Sequence, residues 1–162
     1  MRLFDTVAGR PWLDPEVTAV NRLVMRPLAV PCPDRTTARL LDAADPTTYE
    51  ASPWWRSLDG TWRFQLHERP EDVPLGAVDP ATDDRSWDRI QVPGAWTMQG
   101  HGAPHYTNVI MPFRRAPPDV PGAVDDAPNP TGVHRTTVTV PLDWRGRRVV
   151  LRVGGAESFL AV

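Results

Sequence analysis

Thr61-Trp62-Arg63-Phe64-Gln65-Leu66 alternates apolar and polar side chains without a break. Successive side chains of an extended chain point to opposite faces, so Trp62, Phe64 and Leu66 share one face and the stretch predicts a half-buried β-strand. Asp59-Gly60, just before it, is a turn signal. Working outward, Ile90 and Val92 predict a second short strand, stopped by Pro93-Gly94. Residues 133–140, rich in Thr and Val, and residues 148–153, with Val149, Leu151 and Val153 on one face, predict two more. The composition agrees, since 18 Val stand against two Ile, together with seven Trp. Nineteen Pro among 162 residues is more than twice the usual share of about 5%, and implies many turns and few long helices. The expected class is mainly β.

Residues 1–52 show no sustained period and are punctuated by Pro11, Pro15, Pro27, Pro31, Pro33 and Pro46. They read as an extended arm with one short helical turn around residues 16–20, docked through Trp12 and small apolar groups. Residues 53–162 then form the β domain. Within it, residues 68–88 read as a long acidic, Pro-rich surface connection. Six prolines from Pro112 to Pro130 rule out regular structure over another long stretch, and loops of that length are usually functional or disordered. The final run Ser158-Phe159-Leu160-Ala161-Val162 is apolar. A strand there calls for pairing partners, which leads to the expectation that the chain is a truncated piece of a longer β-sandwich protein.

Several function classes are disfavoured. A TIM barrel takes about 250 residues, so chemistry needing that scaffold lies outside this chain. The net charge is -2, with 18 basic residues, all Arg, against 20 acidic ones, so the basic excess of a nucleic-acid face is absent. Cys32 is the single cysteine, which excludes an internal disulfide and the usual zinc patterns. Residues 1–10 carry Asp5 and lack the apolar stretch of a signal peptide, and no apolar run approaches a membrane span. A soluble, cytoplasmic protein is expected. No nucleophile elbow, phosphate loop, dinucleotide fingerprint or zinc-protease motif occurs. The acidic pairs Glu71-Asp72, Asp83-Asp84 and Asp125-Asp126 sit in Pro-rich loops and read as solvated charges rather than as an acid and a base.

The densest polar and aromatic segment is Trp96-Thr97-Met98-Gln99-Gly100-His101-Gly102-Ala103-Pro104-His105-Tyr106-Thr107-Asn108. Gly lets backbone approach a ligand closely, while His, Tyr and Asn offer donors and acceptors, a mixture that suits sugar hydroxyls. Local satisfaction of backbone groups by the same residues is the competing reading. Trp62, on its strand's apolar face, is expected in the core, and Trp54 and Trp55 are expected to cover a sheet edge.

The order of segments resembles the opening of the large bacterial β-galactosidases of glycoside hydrolase family 2. The residues that carry the likeness are Arg10-Pro11-Trp12-Leu13-Asp14-Pro15-Glu16-Val17-Thr18, Asn21-Arg22, Arg56-Ser57-Leu58-Asp59-Gly60-Thr61-Trp62-Arg63-Phe64, Val92-Pro93, Trp96, Met98, Ala103-Pro104, Tyr106-Thr107-Asn108-Val109 and Pro130-Thr131-Gly132. They run in the family's order over nearly the whole chain. The Leu58-x-Gly60-x-Trp62 piece is shared with β-glucuronidase and β-mannosidase relatives, whereas residues 106–109 and the amino-terminal arm favour β-galactosidase.

The resemblance implies a jelly-roll β-sandwich of the galactose-binding kind, incomplete at its C-terminal end and preceded by the arm, which would serve subunit contacts in a homo-oligomer. It implies retaining hydrolysis of terminal β-galactosides by two glutamates on a barrel outside this chain, so that no Glu here inherits a catalytic role. Asn108 matches the residue that hydrogen-bonds the galactose, with Tyr106 and Thr107 shaping its loop. Asp14 and the carbonyl of Val17 fall where some members hold a structural Mg2+, although Pro11 stands where an additional Asp ligand would be. The complete enzyme would use Mg2+ through barrel residues, with Na+ as a further candidate. The expected partners are the β-galactoside and the rest of the same enzyme, without nucleic acid or membrane. A stand-alone, non-catalytic carbohydrate-binding module is the alternative, as is the corresponding piece of a β-glucuronidase or β-mannosidase relative.

Overall fold

The computed structural model describes residues 10–14, 16–103, 129–157 and 159–162. Two compact units emerge, one from Met1–Val20 with Gly60–Thr136 and the other from Asn21–Asp59 with Thr137–Val162.

The first unit is built on an antiparallel sheet of β1 (Gly60–His67), β2 (Asp88–Val92) and β3 (Thr131–Arg135), in the order β2-β1-β3. The central strand is the stretch whose alternation is clearest. It begins at Gly60, whose φ of 135° is backbone that glycine adopts without a Cβ penalty. The register sets Trp62 opposite Ile90 on one side and Phe64 opposite His134 on the other. Phe64 and Ile90 are fully buried, and burial of each side chain is worth about 1.5–3 kcal/mol against exposure. Residues 62, 64 and 66 share a face as the pattern requires.

The opposite face is covered by the connection between β1 and β2. Two short 3-10 turns, Pro70–Asp72 and Leu75–Val78, fold residues of this segment onto the sheet, so that Val73, Ala77 and Trp87 form a buried cluster against Val133. The segment is thus more than a surface connection. Asp84 fastens it, with its carboxylate 3.8 Å from Arg63 Nε and 3.3 Å from Arg135 Nε. The Arg135 guanidinium lies 5.3 Å from the Trp87 ring and donates to the Ala77 carbonyl at 3.2 Å. Asp84 is therefore a half-buried clamp rather than a solvated charge, while its neighbour Asp83 does lie exposed, paired with Arg85 at 2.6 Å.

Other expectations are corrected. The strand expected over 133–140 starts at Thr131 and stops at Arg135, and the stretches 136–140 and 148–153 carry no ladder. Alternation alone specifies which side chains share a face; a strand also needs a partner backbone. No helical turn spans residues 16–20. The 3-10 turn lies at Pro11–Leu13, around buried Trp12, and the short helix α1 lies at Arg35–Ala38, where the Asp34 carboxylate accepts the Thr37 N–H at 2.7 Å. That bond also holds the Asp34 carboxyl below its ordinary pKa.

In the second unit, Tyr49 is buried with Trp55 edge-on at 5.4 Å. Buried Ser52 donates its hydroxyl to the Pro31 carbonyl. Trp144 donates its indole N–H to the Pro53 carbonyl at 2.9 Å, and Arg147 lies over the Trp54 ring at 4.6 Å. Trp54 and Trp55 thus pack within this unit. Among the described residues, no helix is long and apolar enough to cross a membrane.

Candidate functional site

The polar and aromatic segment singled out in the sequence returns to the Phe64 face of the sheet. After β2, a 3-10 turn at Trp96–Gln99 closes on Gly100, whose φ is 88°, and the His101 N–H donates to the Trp96 carbonyl at 3.1 Å. The turn thereby lays two rings against Phe64, Trp96 at 6.0 Å and His101 at 4.6 Å between centroids. β3 supplies a third, His134, 4.9 Å from Phe64 and 6.3 Å from Trp96. His101 Nδ1 lies 3.8 Å from the exposed carboxylate of Asp88.

Gly132 permits this closeness. A Cβ at that position would stand 2.7 Å from two atoms of the Trp96 ring and 2.8 Å from Phe64. The Pro130-Thr131-Gly132 motif thus contributes a notch for an indole. Gly102 lies against Leu66, since a Cβ there would stand 3.4 Å from that side chain. Ala103 follows as an exposed residue, and Asn129 takes up the described chain again with its N–H donating to the Glu68 carbonyl at 2.8 Å. Tyr106, Thr107 and Asn108, the expected sugar-binding residues, lie outside the described residues, as does Asp125-Asp126.

Burial holds the His134 imidazole below its ordinary pKa, only partly offset by a hydrogen bond with the Gly132 backbone. His67, on the other face, is likewise held down by burial against the field of Asp72, and its buried Nε2 has no hydrogen-bond partner among the described residues. Neutral imidazole is therefore the form that the sheet favours at both positions. Sequence reading missed His134, whose only signal was its place in a run rich in Thr and Val.

Asp14 and Val17 come together in one tight turn. The Asp14 carboxylate accepts the Glu16 N–H at 2.9 Å, and its carbonyl accepts the Val17 N–H at 3.1 Å. Hard divalent cations take six or more oxygens. This turn offers one carboxylate and the Val17 carbonyl, and no group of three or more His, Cys, Asp or Glu side chains placed for a metal occurs among the described residues. The two residues fit part of an oxygen shell and do not complete it. The glutamates do local work: Glu50 accepts the Ser57 N–H at 2.7 Å and Glu71 lies 3.6 Å from Arg10.

Comparison with known proteins follows the same residues. The family model for glycosyl hydrolases family 2, sugar binding domain, matches residues 55–162. A β-galactosidase of Psychromonas ingrahamii is 42% identical over 109 residues, which are 67% of this chain and 10% of that protein. A β-galactosidase of Vibrio cholerae is 46% identical over 85 residues, 52% of this chain and 8% of that protein. One of Photobacterium profundum is 42% identical over 85 residues, with the same shares. The chain thus spans about a tenth or less of the length of these curated relatives. A mainly β chain with an antiparallel sheet is what a jelly-roll sugar-binding domain requires.

Proposed function

The chain belongs to the glycosyl hydrolases family 2 through its sugar binding domain, and from that premise we propose that it is the amino-terminal portion of a β-galactosidase. The reading rests on its likeness to proteins of that name. In this reading the enzyme releases terminal non-reducing β-D-galactose from β-galactosides such as lactose, in the cytoplasm. Two glutamates outside this chain act in turn, one as acid and base and one as nucleophile, with retention of configuration.

The contribution of this chain is binding. Asn108 offers a side-chain carbonyl and an NH2 group, which together accept from one galactose hydroxyl and donate to its neighbour. Tyr106 and Thr107 support it. The Phe64, Trp96, His101 and His134 cluster gives the preceding turn a rigid base, and Gly132 lets the rings approach. The amino-terminal arm makes contacts in a homo-oligomer, and the rest of the enzyme is the chain's main partner. In the complete enzyme Mg2+ would be held by residues outside this chain and would supply Lewis acidity there, with Na+ as a second candidate cation. At Asp14 and Val17 a structural Mg2+ would draw its remaining oxygens from water.

The test is complementation. The Psychromonas ingrahamii β-galactosidase lacking its matching stretch is mixed with this chain, and hydrolysis of a chromogenic β-galactoside is followed. Restored activity is expected, and Asn108→Ala in the added chain is expected to lower kcat/KM more than tenfold, which is about 1.4 kcal/mol of transition-state stabilisation. No restoration, with galactoside binding by the chain still seen calorimetrically, would favour a stand-alone carbohydrate-binding module. Restoration with Asn108→Ala unchanged would remove Asn108 from the site.

A further inference from the structure

Among the described residues β2 is an outer strand of its sheet, and outer strands expose a row of N–H and C=O groups to which another strand can add. In an antiparallel pair these groups alternate between facing the neighbour and facing away. Gln91 stands opposite Thr61, and the hydrogen bonds of its N–H and C=O to Gln99 show that both are turned away from β1. Both are taken by one side chain. Gln99 Oε1 accepts the Gln91 N–H at 2.7 Å, and Gln99 Nε2 donates to the Gln91 carbonyl at 3.0 Å. A primary amide here reproduces the acceptor and donor that an added strand would bring.

The surroundings suit the arrangement. Gly94 leaves room for the amide, since a Cβ there would stand 2.7 Å from Gln99 Nε2. The Gln91 side chain is itself tied across the sheet, its Nε2 donating to Thr61 Oγ1 at 2.7 Å. By the same alternation, Arg89 carries the other outward pair of β2, and Pro93, just past the strand, has no N–H to offer. With Gln91 occupied, Arg89 is the one residue of the strand left with an open outward pair among the described residues, too little for a ladder.

We propose that Gln99 closes the outer edge of β2 and so prevents edge-to-edge pairing of this chain with a second copy of itself. The closure is a property of described residues and stands apart from the galactoside reading.

The test uses the full 162-residue chain. Hydrogen exchange at the Gln91 amide is measured in the parent and in Gln99→Ala, alongside sedimentation velocity over a range of concentrations. Exchange at Gln91 is expected to quicken at least tenfold in Gln99→Ala, and the variant to self-associate with a Kd at least tenfold below that of the parent. Adding Arg89→Pro, which removes the remaining outward N–H without touching the bonds to β1, is expected to restore the monomer. Unchanged exchange at Gln91 would overturn the closure. Quickened exchange without self-association, or self-association that persists with Arg89→Pro, would overturn its role. Should Gln99→Ala lose its near-ultraviolet dichroism, Gln99→Leu, which keeps most of the side chain's bulk and removes both the acceptor and the donor, decides by the same two readouts.

Discussion

Gly132→Ala would destabilise the sheet, although a generic argument gives the opposite sign. Glycine inside a strand costs roughly 0.5–1 kcal/mol relative to alanine, because it loses more backbone freedom on folding. An ordinary Gly-to-Ala change would therefore stabilise. Here the new methyl would stand 2.7 Å from Trp96 and 2.8 Å from Phe64. Phe64 has no room to retreat, being fully buried between His101 and His134. Trp96 is half-exposed and must swing out, which gives up its packing on Phe64 and His134. Overpacking costs about 1–3 kcal/mol, toward the upper end against a fully buried ring, so that about 1–2 kcal/mol of net loss is left once the strand gain is subtracted. For a chain of this size, roughly 3 °C per kcal/mol gives a fall in Tm of about 3–6 °C. The assay is thermal unfolding followed by near-ultraviolet dichroism, with Trp96→Ala and the double variant completing a cycle. The two changes are expected to couple by at least about 1 kcal/mol, since removing the indole removes one of the two clashes and gives Phe64 room to shift from the other. A Tm for Gly132→Ala equal to or above that of the parent, or strictly additive effects, would refute the reasoning.

Two further outcomes follow from the same sheet. His134 and His67 have folded-state pKa values below the ordinary 6.5, chiefly through burial; the unfolded chain therefore takes up protons first as pH falls, and their contribution to stability, complete above the unfolded value, is lost as pH drops from there toward the folded values. Tm is expected to fall between pH 7.5 and pH 5, less steeply in His134→Gln, and an equal slope in that variant would remove His134 from the effect. Asp84→Asn leaves Arg63 and Arg135 without their shared carboxylate, a partly exposed network for which a loss of about 1–2 kcal/mol is expected. Urea titration reads it, and a midpoint within error of the parent would show that Trp87 and Val73 hold the connection alone.

The sequence made β1 and β2 legible because their apolar residues alternate beside clear turn residues. β3 was harder to place. Its run of Val and Thr continues past Arg135, but a ladder ends where the partner strand ends, and periodicity carries no partner. Its start at Thr131 depends on Gly132, whose service to Trp96 is a contact between segments far apart in the chain. The connection before β2 looked like surface because Pro and Asp dominate it; Val73, Ala77 and Trp87 are too scattered to form a pattern, yet two short turns gather them. Gln99 and Asp84 gave no signal, since an amide closing an edge and an acid joining two arginines are defined by what they meet. The site residues read through resemblance, Asn108 above all, came from motif order, which locates a residue in a family without locating its side chain in space.

The placement of β1 between its two partners also governs the order in which the sheet can assemble. Thr61 and Gln91, which meet across β1 and β2, are 30 residues apart. Phe64 and His134 are separated by roughly 70, and closing the longer loop costs about 1 kcal/mol more in chain entropy. β1 and β2 can therefore meet while β3 is still being sought, and the turn carrying Trp96, tied to β2 through Gln99, is already in place when β3 arrives. The last strand then brings its glycine against the indole of that turn, so the pairing with the larger closure cost is also the one whose fit depends on a contact formed by the earlier pair.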